Sequence, residues 1–385
     1  MTRVMFVGED GFVGGAQISM CGLLQELSRR AVDCIAVIPS PNRYSEMLRS
    51  SGIDVTRNRL DELKRDYVRI SPVFGEVKNL GVIMDEFLPD LIHADAPWAA
   101  FFTLLAARRR GLPVLCSLHW YPEAHRASKR AVFRILRRYV IANCRKFALF
   151  SEHMLSTIVN DYGFPAAKVV MIPYGIERYR LKNNISRDDW RCSWGIPTEA
   201  ILYTCVARLH PQKGILDILD AAGIVCRKVD EAFFAFAGEE VVAPMENLHF
   251  TERVRAMASR LGISSRIRLL GFQDDIGAVY GASDVLVHAS SREPFGLGVA
   301  EASMSGLPVV AYRVGGVPET VIDGENGFLV PAMRPDVLAE KLIELGQDAE
   351  LRGRLGRRGK QLGAQQHSVE EMTAQFIRLY EEVAK

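Results

Sequence analysis

Short apolar runs alternate with helix-length amphipathic segments from one end of the chain to the other. In the first half Val4–Val7, Cys34–Ile38, Leu91–His93, Val114–Leu118, Phe147–Phe150 and Val169–Ile172 read as strands. Helical periodicity lies between them, notably in Ala16–Arg30, Trp98–Arg110 and Arg126–Cys144. In the second half the strands are Ile201–Val206, Ala232–Ala237, Ile267–Leu270, Val285–His288 and Val309–Ala311. Segments such as Ile215–Val229, Glu252–Leu261 and Pro335–Gly346 read as the intervening helices. This βαβα rhythm predicts an α/β fold with parallel sheets covered on both faces by helices.

A single doubly wound sheet would need ten or more strands (roughly the upper limit for an open sheet), so two Rossmann-like domains fit 385 residues better. The boundary falls near Pro173–Asn184, where Ile172-Pro173-Tyr174-Gly175-Ile176 ends a strand in turn residues and a polar stretch follows. The expected division is 1–175, 176–365, and a terminal segment 366–385. The amphipathic helix Val369–Val383 in that last segment is expected to cross back to the first domain.

Composition adds exclusions. A net charge of +2 lacks the basic footprint of a nucleic-acid binder. The charge is uneven: residues 1–180 carry 25 Lys and Arg against 18 Asp and Glu, and the remainder 23 against 28. A basic half and an acidic half point to different partners. The seven cysteines form no C-x-x-C and no Cys/His cluster of zinc spacing, so no metal site is expected. They read as reduced core thiols of a cytoplasmic protein. The N-terminus runs straight into a strand-like segment with no visible signal peptide, and the longest apolar stretch, Ala96–Ala107, is too short to span a membrane.

In open parallel sheets ligands bind beyond the carboxyl ends of the strands. Four segments sit at such ends. The loop Gly8–Gly15 closes on Gly14-Gly15 before a helix, which suits a close phosphate approach or, equally, a plain turn. Arg208 and Lys213 in Ala207–Gly214 place two cations at a strand end and a helix start, a geometry for clamping a diphosphate. A helix opening on Lys opposes its own dipole, which favours an anionic ligand, the alternative being a solvated basic loop. Glu293 and Glu301 flank the turn Phe295-Gly296-Leu297, so one acid precedes a helix and the other lies in its second turn. They can bind sugar and ribose hydroxyls around backbone N–H groups, or be a dipole-favouring acid and a surface glutamate. His119 and Asp95 follow strands in the first domain and can be ligand contacts, a structural His and a turn Asp. The stretch Arg126–Lys146 has eight Lys and Arg and no acid, interleaved with apolar residues. It reads as a face for an anionic membrane surface or as a solvated helix.

Taken in order, these segments resemble the retaining glycosyltransferases of family 4, which have the GT-B fold. The likeness runs over nearly the whole chain and is densest in Gly271–Val330. It is carried by Leu270-Gly271-Phe272, Ala282-Ser283-Asp284, Glu293–Glu301, Gly306-Leu307-Pro308, Gly315-Gly316-Val317-Pro318-Glu319 and Gly324-Glu325-Asn326-Gly327. Gly14-Gly15-Ala16-Gln17 and Pro173-Tyr174-Gly175 fit as well, although the latter usually reads Pro-Asn-Gly.

The resemblance implies two Rossmann-like domains facing a cleft, the second holding a nucleotide-sugar donor and the first an acceptor. It makes Arg208 and Lys213 diphosphate ligands, Glu301 the ribose ligand, Glu293 the contact to the donor sugar and Phe272 part of the edge that meets the base. Phe295, Gly296 and Leu297 supply N–H groups, Gly14 and Gly15 approach the donor phosphate, and His119 lies near the reacting sugar. Trp120 stands where the family often has Gly or Asp, which reshapes the acceptor pocket around Asp95, His119 and Trp120. The implied reaction retains anomeric configuration and uses neither metal nor cofactor. UDP-sugars are the expected donors, with GDP-mannose next; a glycan, lipid-linked or small-molecule acceptor is open, as is peripheral attachment to the cytoplasmic face of a membrane. A nucleotide-sugar epimerase and a non-catalytic transferase partner are the competing readings.

Overall fold

The computed structural model describes residues 2–65, 70–121, 130–240 and 249–385. It divides into two compact units, one of residues up to Ile176 together with His367–Lys385, the other Glu177–Gln366. The first contains strands β1 (Arg3–Val7), β2 (Asp33–Pro39), β3 (Asp54–Asn58), β4 (Leu91–Ala94), β5 (Val114–Ser117), β6 (Lys146–Leu149) and β7 (Val169–Met171). They form one parallel sheet in the order β3-β2-β1-β4-β5-β6-β7. The second contains β8 (Ile201–Val206), β9 (Ala232–Ala237), β10 (Ile267–Gly271), β11 (Val285–His288), β12 (Val309–Tyr312) and β13 (Gly327–Val330), in the parallel order β10-β9-β8-β11-β12-β13.

Each sheet reverses direction beside its first strand, between β1 and β4 and between β8 and β11. A crevice opens at such a switch point, beyond the strand carboxyl ends. In the second unit alternate residues serve opposite faces. Tyr203 and Cys205 pack under the helices Ile215–Val225 and Pro335–Gln347, while Leu202 packs with Trp190, Val279 and Val299. This period of two is what a strand covered on both faces requires.

The apolar runs mark eleven of these strands; β3 and β13 are additional edge strands. Asp54-Val55-Thr56-Arg57-Asn58 has a single aliphatic residue, since an edge needs less burial. The expected basic helix is seen as Arg130–Asn143, and residues 126–129 lie outside the described residues. The cysteines are not uniformly core residues: Cys21, Cys116, Cys144 and Cys205 are buried, Cys34 and Cys226 half-buried and Cys192 exposed.

The terminal helix Val369–Ala384 belongs to the first unit. It is capped by Ser368, whose hydroxyl accepts from Glu371 N, and its entry is tied down by Ile176 N donating to His367 O at 3.0 Å. Further along, Tyr380 OH meets His93 Nδ1 at 2.8 Å, and His93 Nε2 meets Ser117 Oγ at 2.7 Å. His93 is fully buried, so these partners satisfy both its ring nitrogens.

The Ala282-Ser283-Asp284 motif is structural. Asp284 accepts from Arg187 NH2 at 2.5 Å, Arg191 NH2 at 2.7 Å and Leu202 N at 2.8 Å, which ties the helix Arg187–Ser193 to β8. Arg191 has no exposed surface, so its charge depends on this carboxylate and on the carbonyls of Ala282, Thr198 and Ala200. Asp284→Ala is therefore expected to cost about 3–5 kcal/mol, as removal of one member of a buried pair does. Urea denaturation monitored by circular dichroism measures it, and a loss below about 1 kcal/mol would contradict this role for Asp284.

Candidate active site

At the switch point of the second sheet, the loops after β8 and β11 are laced together. Gly214, at φ +65°, lies so close to the second loop that a Cβ there would sit 1.9 Å from Ala289 O. Ser291 N donates to Gln212 O at 2.9 Å. Lys213 occupies the 3₁₀ turn Pro211–Lys213, ahead of the helix Ile215–Val225, whose first turn carries Asp217. The expectation of a helix opening on Lys against its own dipole is therefore corrected: the helix has its acid, and the charge of Lys213 is directed elsewhere.

It is directed at Glu293. Lys213 Nζ donates to Glu293 Oε2 at 2.6 Å, Ser290 Oγ lies 3.3 Å from the same oxygen, and so does His288 Nε2 from the end of β11. Glu293 is only 8% exposed. Burial alone would raise its carboxyl, but Lys213 and His288 outweigh burial and hold it well below the usual carboxylate range. The backbone of Glu293 is fixed from the loop after β12, where Gly316 N donates to Glu293 O at 3.0 Å. A Cβ on Gly315, at φ +53°, would stand 1.8 Å from that carbonyl, so this Gly-Gly pair exists to seat Glu293.

Glu301 lies in the second turn of the helix Leu297–Met304, which follows Phe295 and the left-handed Gly296. It is 4% exposed. Tyr280 OH donates to Oε2 at 2.9 Å, and Arg180 NH1 stands 3.5 Å from Oε1. Oε1 has no hydrogen-bond partner among the described residues. Burial raises the Glu301 carboxyl, opposed by Arg180 and Tyr280. A buried carboxylate oxygen that makes no hydrogen bond can accept from a further donor. Arg208 follows β8 and Phe272 follows β10, both half-buried, at strand carboxyl ends of the same sheet.

In the first unit Gly14 is the N-cap of the helix Gly15–Arg29, in the loop after β1. Beyond β4 and β5, Asp95 Oδ1 meets His119 Nε2 at 2.5 Å, and His119 Nδ1 is hydrogen-bonded to Tyr174 OH. Phe150, after β6, stacks on His119 with centroids 4.7 Å apart and on Tyr174 at 4.0 Å. Trp120 is half-buried and packs edge-on to Tyr121. Asp95 and His119 are thus one cluster rather than two isolated strand-end residues. The pairing of Lys213 with Glu293 likewise joins two residues to which the sequence assigned separate tasks. Arg180, Tyr280, His288 and Ser290 carry no motif of their own, and Tyr174 stood out only as the departure from Pro-Asn-Gly. For His288 and Tyr174 the signal was their place at strand ends.

Two family models cover most of the chain: Glycosyltransferase Family 4 over residues 13–180 and Glycosyl transferases group 1 over residues 186–362. D-inositol 3-phosphate glycosyltransferase of Streptomyces bingchenggensis is 29% identical over 282 residues, covering 69% of this chain and 61% of that protein. Across the first three curated relatives the match spans 61%, 60% and 54% of their length. Among solved structures, Anabaena HepE in complex with UDP and glucose superposes with a TM-score of 0.85 at 20% identity, over 99% of this chain and all of that one. Sucrose-phosphate synthase from Thermosynechococcus elongatus does so with 0.82 at 19% identity, covering 99% of each chain. The fold is therefore GT-B, and with both halves matched in sequence the chain belongs to glycosyltransferase family 4, its second half being a glycosyl transferases group 1 domain.

Proposed function

We propose that the protein transfers a hexosyl unit from a nucleoside-diphosphate sugar to a hydroxyl acceptor with retention of anomeric configuration. The observation that carries this reading is the Lys213–Glu293–His288 cluster around a buried carboxylate at the sheet switch point, together with Glu301 Oε1, which faces Arg180 but makes no hydrogen bond. Lys213 and Arg208 face the leaving diphosphate, Glu293 the donor sugar and Glu301 the ribose. Phe272 borders the base, and the N–H groups at Phe295, Gly296 and Leu297 add positive potential at a helix start. These groups, rather than a resident metal or cofactor, meet the charge that develops on the leaving group.

Glu293 is engaged by Lys213 and so is poorly suited to attack the anomeric carbon. The C1–O bond to the diphosphate then breaks as the acceptor oxygen bonds C1 from the same side. The acceptor proton passes to a terminal phosphate oxygen of the departing nucleotide.

UDP is the favoured nucleotide, in keeping with the UDP found in HepE. The acceptor falls to Asp95, His119 and Trp120 of the first unit. The helix Arg130–Asn143 turns Leu136 and Val140 inward and exposes Arg134, Ile135 and Arg138. That face supports a lipid-linked acceptor at an anionic surface, and no helix among the described residues is long and apolar enough to cross a membrane.

A thermal-shift series with UDP-, GDP- and ADP-sugars tests the donor. Saturating UDP-sugar is expected to raise the melting temperature by about 5 °C or more. Donor consumption without acceptor, and an anomeric signal of unchanged configuration in the glycoside, test the reaction. Tight nucleotide binding with no transferred sugar would move the assignment to an epimerase. No binding of any nucleoside diphosphate would leave a non-catalytic partner.

A further inference from the structure

Two histidine-centred hydrogen-bonded rungs lie two residues apart along β4 and β5. The inner one is Tyr380–His93–Ser117, fully enclosed. The outer one is Asp95–His119–Tyr174, at the strand ends. The backbone ladder runs on past each strand, Asp95 N donating to Val7 O and Leu118 N to Ala148 O, so the outer rung follows the inner one by a single pleat. The outer rung has a property that neither the family pattern nor the strand-end position announces: both nitrogens of the His119 ring are taken.

A carboxylate only accepts, so Nε2 beside Asp95 carries the hydrogen. In the neutral ring Nδ1 is then an acceptor, and the Tyr174 hydroxyl donates to it. The His119 and Tyr174 rings are parallel to within 10°, and Phe150 stacks on both. Tyr174 stands where the family pattern usually has Asn, and a phenol extends well past the reach of that amide.

The backbone of Tyr174 is held in turn. Gly175 N lies 3.1 Å from Met372 Sδ of the terminal helix, Ser19 Oγ donates to Gly175 O at 3.3 Å, and Ile176 N donates to His367 O at 3.0 Å. The segment that carries Tyr174 is thus pinned by the first helix and by the returning chain end.

We propose that Tyr174 is a positioning residue for His119: its hydroxyl, braced by the terminal segment, locks the ring in the tautomer and orientation that keep Nε2–H on Asp95. The effect on turnover rests on the glycosyltransfer reading; the positioning of the ring does not.

The test is Tyr174→Phe, which keeps the stack on Phe150 and removes only the hydroxyl. Nitrogen-edited NMR of histidine-labelled protein reports which ring nitrogen of His119 carries hydrogen, and His119→Gln identifies the signal. The wild type is expected to show a single Nε2–H tautomer at neutral pH, and Y174F a mixture or a displaced Nδ1 signal. With a turned-over donor, Y174F should lower kcat about tenfold or more while donor KM stays within about twofold, since orientation rather than donor binding is lost. Unchanged histidine signals with unchanged kcat would overturn the proposal. If Y174F melts early, the signals recorded below its own transition still decide. If the wild type turns over no nucleotide sugar, the functional reading fails and the NMR comparison alone judges the positioning.

Discussion

Lys213→Ala is expected to lose about a hundredfold or more in kcat/KM for donor turnover and, separately, about 3–5 kcal/mol of stability in the unliganded protein. The two losses have different origins. Glu293 is buried and ionised, and Lys213 at 2.6 Å is its closest cation. Removing the ammonium strands a carboxylate from which water is largely excluded. The stability loss carries a sign in pH. The Glu293 carboxyl is held below its ordinary range, so its contribution is present above the unfolded carboxylate pKa and fades as pH falls through the folded one. In K213A that support is gone, so its deficit against wild type should be full at neutral pH and shrink in acid, where Glu293 can protonate. Lys213→Ala combined with Glu293→Gln removes both charges and should recover most of the stability without recovering turnover. Equilibrium unfolding at pH 7.5 and 4.5, beside donor-hydrolysis kinetics, separates the two effects. Full activity in K213A would remove Lys213 from the diphosphate site; unchanged stability would mean that Glu293 finds another partner.

The positions of these residues were legible; their pairing was not. Apolar runs placed strand ends near His288, Ala207, Asp95 and His119, and strand ends are where an open parallel sheet binds ligands. Whether Lys213 reaches Glu293, 80 residues away, depends on β8 lying beside β11 rather than β10, which is sheet order and not local pattern. The reading of Lys213 as a cation set against a helix dipole followed from assuming that the helix begins one turn too early. A 3₁₀ turn ended by the left-handed Gly214 intervenes. Gly315-Gly316 was visible as a motif, but its purpose lies in the carbonyl of Glu293, again a contact between distant loops. The strands that escaped notice, β3 and β13, are both edges. Asp54–Asn58 has one aliphatic residue, as a less covered edge allows, whereas Gly327–Val330 is apolar and mostly buried but only four residues long, with no alternation to mark it.

Mild acid should unfold the first unit before its carboxylates titrate, because two buried histidines fold in their neutral form. Burial lowers His93 to about 3, with a further push from His119 nearby, and lowers His367 to about 4 against a hydrogen bond from its ring to the Tyr174 backbone carbonyl, which raises it. Both start from an ordinary value of 6.5, so the unfolded chain binds protons that the folded chain refuses. Their contribution is whole above pH 6.5 and drains away as pH falls toward the folded values. At about 1.4 kcal/mol per pH unit for each histidine, the pair gives up on the order of 5 kcal/mol by about pH 4.5. A total stability of roughly 5–15 kcal/mol leaves little margin for that. Glu76, in the same unit, works the other way: burial raises its carboxyl, so it recovers some stability as pH falls. His93→Gln isolates the histidine's share. It keeps groups that can bond Tyr380 and Ser117 but cannot titrate, so it should be weaker than wild type at pH 7.5 and lose less between pH 6.5 and 4.5. Urea midpoints across that range decide the matter. Parallel pH slopes in the two proteins would mean that His93 does not fold neutral, and the rung joining the terminal helix to β4 and β5 would then owe its stability to something other than an uncharged imidazole.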